Sequence, residues 1–142
     1  MNCKAHSFLF FMCLLFCTAT HAQQKSDSSH YYYQKIIKPT NDQDLIDGFI
    51  YFKGDRERGI SEKDDKAVLY ALQMMSQSQM TLGFYYDAES TTVDALKILD
   101  ILKKTDTLDL SSIRKRLYNS LGIIYNKLEK YPEAISKYTK AL

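Results

Sequence analysis

The chain has 142 residues, 45% of them hydrophobic and 25% charged, with five Gly and two Pro, a composition that excludes collagen-like, low-complexity and wholly disordered chains. A formal net charge of +2 is too small to drive electrostatic binding to nucleic acid or acidic lipid. The length fits one modest domain once the first stretch is set aside.

Lys4 precedes a ten-residue apolar run, Phe8 to Cys17, and Thr20-His21-Ala22 follows with small residues at the two positions that a signal peptidase reads. Residues 1–22 are therefore expected to be a signal peptide, cut between Ala22 and Gln23. The run is shorter than the roughly 20 apolar residues a bilayer span needs. A lipoprotein anchored through Cys17 is disfavoured, because bulky Phe16 stands where lipid-modified leaders carry a small residue. Cleavage removes Cys3, Cys13 and Cys17, every cysteine in the chain, and leaves 120 residues. Loss of Lys4 leaves 18 Lys+Arg against 17 Asp+Glu, a net charge of about +1. The expected product is an exported, periplasmic domain that folds by packing alone, without disulfides.

Residues 23–29 are polar and read as a flexible lead-in. His30 to Lys38 carries Tyr31, Tyr32, Tyr33, Ile36 and Ile37 before Pro39 and reads as a short helix, with two of the three tyrosines packed and the third at the surface. Asn41 or Asp42 caps a second helix, in which Leu45, Ile46, Phe49 and Phe52 recur at helical spacing, and which is expected to end in a loop from Gly54 to Gly59. Ser61-Glu62-Lys63-Asp64 has the form of a capping box ahead of Val68, Leu69, Leu72, Met75 and Met80, a third helix that closes at Thr81-Leu82-Gly83. The fourth runs from about Tyr85 to Lys104 with Ala88, Val93, Leu96, Leu99 and Leu102 as its buried stripe, and Thr105 to Asp109 makes a polar connection. Ser111 or Ser112 caps a fifth helix carrying Ile113, Leu117, Leu121, Ile124, Tyr125 and Leu128. After a turn at Glu129 to Tyr131, Pro132 sits in the first turn of a sixth, where its missing N–H costs nothing. No segment alternates with period two, so the fold class is all-α, built of helical hairpins.

The last hairpin carries a recognisable pattern. Counting Lys115 as the first position, Tyr118, Leu121, Gly122, Tyr125, Ala134, Tyr138 and Ala141 fall at the signature positions of the tetratricopeptide repeat, a helix-turn-helix unit of about 34 residues, which residues 111–142 closely resemble. Five of these seven residues are identical to the family pattern and the other two are Tyr at aromatic positions. The signature's final Pro would fall beyond Leu142. Upstream, Ala88 and Ala95 echo Ala134 and Ala141 with the same spacing of seven, which marks residues 61–104 as a weaker repeat with Met75-Ser76 in place of Leu-Gly. Gly48 and Phe52 give a fainter echo, making residues 30–59 a degenerate hairpin.

Chemistry is scarce in the sequence. Gly54 to Ser61 has the glycine spacing of a phosphate-binding loop, but Ile60 stands where the phosphate-binding Lys belongs. Asp42, Asp44 and Asp47 hint at a calcium loop, yet Ile46 occupies a ligand position and Lys53 the closing one, so a solvated helix start is the better reading. His30 is the only histidine left after cleavage, so neither a zinc site of the usual His and Cys kind nor a His-dependent nucleophilic system can be assembled. No enzyme activity, metal or cofactor is expected.

The resemblance implies hairpins stacked as a right-handed solenoid, whose concave face, lined by each first helix, holds a peptide or a partner helix. Carried onto this sequence, the groove positions are Arg116, Asn119, Ile123, Asn126 and Lys127 in the last repeat and, by a looser register, Tyr70, Gln73, Gln77 and Met80 in the one before. Their amides either pair with an extended peptide backbone or keep a surface soluble. The Lys and Asn set with which some family members clamp a terminal carboxylate is not reproduced. Leu142 falls within the last helix with no polar cap over Ala141, so either the frame continues or a partner or second copy covers that end, which makes self-association there an expectation. Two functions follow: an exported, non-catalytic protein-interaction module, or the N-terminal sensory region of a longer membrane-bound signalling or transcription regulator.

Overall fold

The computed structural model describes residues 28–105 and 110–142. Among them every regular element is a helix: α1 over residues 28–37, α2 Asp42–Glu62, α3 Asp65–Thr81, α4 Tyr85–Thr105, α5 Ser111–Lys127 and α6 Tyr131–Ala141. The leader, its cleavage point at Ala22 and Gln23, residues 23–27 of the lead-in and residues 106–109 of the polar connection lie outside the described residues. Ser28 and Ser29, expected in the lead-in, are helical.

Asn41 takes the cap of α2, its side chain accepting from the Asp44 N–H at 3.1 Å. The helix then continues through Gly54 and Gly59, so the expected loop does not exist. Asp55, Arg56, Glu57 and Arg58 between the two glycines sustain it, with an Asp55–Arg58 ion pair at 2.7 Å. Gly59 is present for a different reason: a Cβ there would stand 2.9 Å from Val68 Cγ2 and 3.3 Å from the Asp64 carbonyl, so the residue permits close approach of α3. The reversal falls instead on Lys63, which is left-handed at φ 55. Ser61 lies inside α2 with its hydroxyl donating to the Arg58 carbonyl at 2.8 Å. Asp64 is the cap of α3, accepting from the Ala67 N–H at 3.0 Å, three residues later than the Ser61 start.

Gly83, at φ 84, turns α3 into α4. The cap position of α5 is Leu110, with no side-chain cap bond, not Ser111 or Ser112. Leu110 is partly buried and packs on the cluster of Leu69, Leu99, Leu102 and Leu117. Pro132 lies in the first turn of α6, after Glu129 takes the left-handed region at φ 60.

Each helix packs antiparallel against the next, as the pairing of residues shows. Tyr32 meets Tyr51 and Ile36 meets Gly48; Ser78 donates to the Leu45 carbonyl at 2.6 Å while Gly59 meets Val68. Ser76 bonds Thr92 at 2.6 Å, Arg114 bonds Asp100 and Tyr125 bonds Glu89, and Gly122 meets Tyr138. Three apolar clusters follow the same order. Ile36, Phe52, Ala71 and Met75 join α1, α2 and α3; Val68, Leu69, Leu72, Ala95, Leu99, Leu102 and Leu117 join α3, α4 and α5; Ala88, Leu121 and Ile124 join α4 and α5. Val93 and Leu96, expected in the buried stripe of α4, are partly buried. Of the tyrosine run, Tyr32 and Tyr33 pack on the first cluster and Tyr31 is exposed.

The crossing contacts recur along the chain. Ile36 against Gly48 and Ser76 against Ala88 each span twelve residues, and Ser76 against Thr92 and Gly122 against Tyr138 each span sixteen. Ser76 follows Ile36 by 40 residues and Gly122 follows Ser76 by 46, the same intervals that separate Gly48, Ala88 and Ala134.

Candidate functional site

Neighbouring helices alternate in direction, so α1, α3 and α5 run parallel and share one side of the molecule. Residues one turn apart on each helix form a ridge facing this side: Tyr33 and Ile37 on α1, Lys66, Tyr70, Gln73 and Gln77 on α3, Ile113, Arg116 and Ser120 on α5. Together they line a cavity of about 700 Å³, within the range of ligand-binding clefts, with Leu69, Met74, Leu102, Leu110 and Leu117 supplying apolar wall.

Gln73 and Gln77 hold their amide groups by long bonds only, to the Leu69 carbonyl at 3.3 Å and to Thr81 Oγ1 at 3.4 Å. Burial raises the Tyr70 phenol above its ordinary range, with smaller contributions from Tyr33 and Asp55, so near neutral pH the ring carries a neutral hydroxyl that can donate or accept. The cavity offers donors and apolar wall. Among the described residues no three His, Cys, Asp or Glu side chains gather to hold a metal, and no helix is long and apolar enough to cross a membrane.

Of the nine expected groove residues the cavity brings together Tyr70, Gln73, Gln77 and Arg116. Asn119, with Arg116 again, lines a second cavity of about 520 Å³ between α5 and α6, beside Ile135, Tyr138 and Leu142. Met80 packs on the cluster of Ala88, Leu121 and Ile124. Ile123, Asn126 and Lys127 line neither cavity; Ile123 is partly buried and the other two are exposed. Tyr33, Ile37, Lys66 and Ile113 join the lining without belonging to the expected set. Helical spacing from Tyr70 and from Arg116 points to Lys66 and Ile113, whereas nothing local indicates that α1 reaches this side.

The residues matching the repeat signature sit where two helices cross. Leu121, Gly122 and Ala134 are buried, Tyr118 and Tyr125 are half-buried, and Tyr138 lies over Gly122. Tyr125 donates to Glu89 at 2.8 Å, and burial followed by that bond pushes its phenol up to about 12. Asp44 and Asp47, weighed above as calcium ligands, both engage Lys35, at 3.2 and 2.8 Å. Asp44 also accepts from the Thr40 hydroxyl and N–H, which together with Lys35 hold its carboxyl at about 2.

No family model, curated protein or solved structure matches this chain.

Proposed function

We propose that this chain is an exported tetratricopeptide-like module that binds a peptide or partner helix, without catalysis, in the groove of α1, α3 and α5. The observation that carries the reading is the cavity of about 700 Å³ lined by the first helix of each hairpin, with Tyr70, Gln73, Gln77 and Arg116 on its walls. The recurrence of the crossing contacts, Ile36–Gly48 matched by Ser76–Ala88 and Ser76–Thr92 matched by Gly122–Tyr138, supports the repeat. A residue without a side chain, or with a short one, stands on one helix at each crossing and lets the two backbones approach. Stacked units of this kind bury a continuous core and leave one face concave. Export rests on the sequence of residues 1–22.

The test is site-specific photocrosslinking in the producing cell. A benzoylphenylalanine at Gln77 should crosslink a protein or peptide partner, and the same probe at exposed Ile50 on α2 should not. Crosslinks from Ile50 with none from Gln77 would overturn the reading.

A further inference from the structure

Among the described residues, the charged side chains that line the cavity between α1, α3 and α5 are cationic. Its charged lining residues among those described are Lys66 and Arg116, and none is a carboxylate, although the whole chain is near balance with 19 Lys+Arg and 17 Asp+Glu. Its neutral polar groups also donate, through the amides of Gln73 and Gln77 and the phenols of Tyr33 and Tyr70. Arg116 shares this lining with the apolar side chains of Leu69, Leu110 and Ile113. A surface of this kind is complementary to a ligand that accepts hydrogen bonds, carries negative charge and has an apolar group close to that charge.

We infer that the groove selects an acidic peptide segment, with an apolar side chain against Leu110 and Ile113 and a neighbouring Asp or Glu on the Arg116 guanidinium. This rests on the groove being a peptide site, as proposed above. Arg suits the task because its planar fork meets both oxygens of a carboxylate, and its aliphatic stem packs along the apolar wall. Gln73 and Gln77, one turn apart on α3, match the alternating N–H and C=O groups of an extended backbone. Nucleic acid fits poorly: two cations beside an apolar wall are far fewer than the phosphate contacts such binding uses.

The experiment selects a displayed library of random peptides on the purified full chain, and in parallel on Arg116→Glu and Arg116→Gln. The two variants are first compared with wild type by circular dichroism and melting temperature. Peptides won on wild type should be enriched in Asp or Glu beside an apolar residue and bind Arg116→Gln about tenfold more weakly, the loss expected for one charge-assisted contact. Selection on Arg116→Glu should favour Lys or Arg instead. Peptides that bind but show the library's own acidic content, or bind Arg116→Gln unchanged, would overturn the acidic preference and leave peptide binding standing. No enrichment on folded wild type would overturn both.

Discussion

A Cβ placed on Gly122 would stand 2.5 Å from Cδ1 and Cε1 of the Tyr138 ring. The ring of α6 therefore lies directly on the backbone of α5, and no larger residue fits without a shift. Gly122→Ala is expected to lose about 1–2 kcal/mol in urea denaturation, since overpacking outweighs the gain in helix propensity. In a Tyr138→Ala background the same change should be neutral or stabilising. Equal cost in both backgrounds would show that the contact is not the cause.

The two glycines of α2 should respond oppositely to alanine. Gly54 is exposed, and a Cβ there would have nothing within 4 Å, so Gly54→Ala should stabilise the fold by about 0.5–1 kcal/mol, the helix-interior value. Gly59→Ala should destabilise it, because the methyl meets Val68 and the Asp64 carbonyl. Thermal melts of the two variants that moved in the same direction would contradict a continuous α2.

Acid should weaken the link between α1 and α2. The Asp44 carboxyl is held at about 2, first by the Thr40 hydroxyl and N–H and then by Lys35, while the unfolded chain takes up the proton near its ordinary value of 3.8. The unfolded state then binds more protons, so the contribution is present above about pH 4 and lost as pH falls toward 2. Asp44→Asn should flatten that part of a stability-versus-pH curve measured by denaturation.

At the alkaline end Tyr125 should contribute, beside Lys35, Tyr51 and Tyr70, whose values are also raised. Its folded value of about 12 lies above the ordinary 10, so the unfolded chain releases this proton first and stability falls as pH rises from 10 toward 12. Tyr125→Phe should reduce that slope and cost about 1 kcal/mol at neutral pH through the lost bond to Glu89. An unchanged alkaline slope in the variant would assign it to Lys35 and the other tyrosines.

Export is checked by mass. Expressed with its own leader in a diderm bacterium, the chain should be recovered from the periplasmic fraction with Gln23 as its first residue. A cytoplasmic product that retains Met1 would refute the leader reading.

How much of the groove was legible follows from how each residue reaches it. Tyr70, Gln73, Gln77 and Arg116 were readable through the resemblance to the repeat pattern, whose groove positions fall on them, and the first three lie three and four residues apart on one stripe of α3. Met80 continues that stripe in sequence, yet it packs on Ala88, Leu121 and Ile124, because the next hairpin closes over the end of α3. Tyr33 and Ile37 line the cavity through the position of α1 against α3, which no local pattern records.

Among the described residues, the six helices, their order and the ends set by Pro39, Gly83 and Pro132 were determined by the sequence itself, since apolar periodicity, these breakers and a polar cap such as Asn41 act within a turn or two of chain. The tertiary structure alone decided the continuity of α2 through Gly54 and Gly59, the cap of α5 at partly buried Leu110, and the faces that became groove. A glycine is a breaker or a contact point according to the neighbouring helix, and that helix comes from a distant part of the chain. Val68 against Gly59 and Tyr138 against Gly122 are such neighbours.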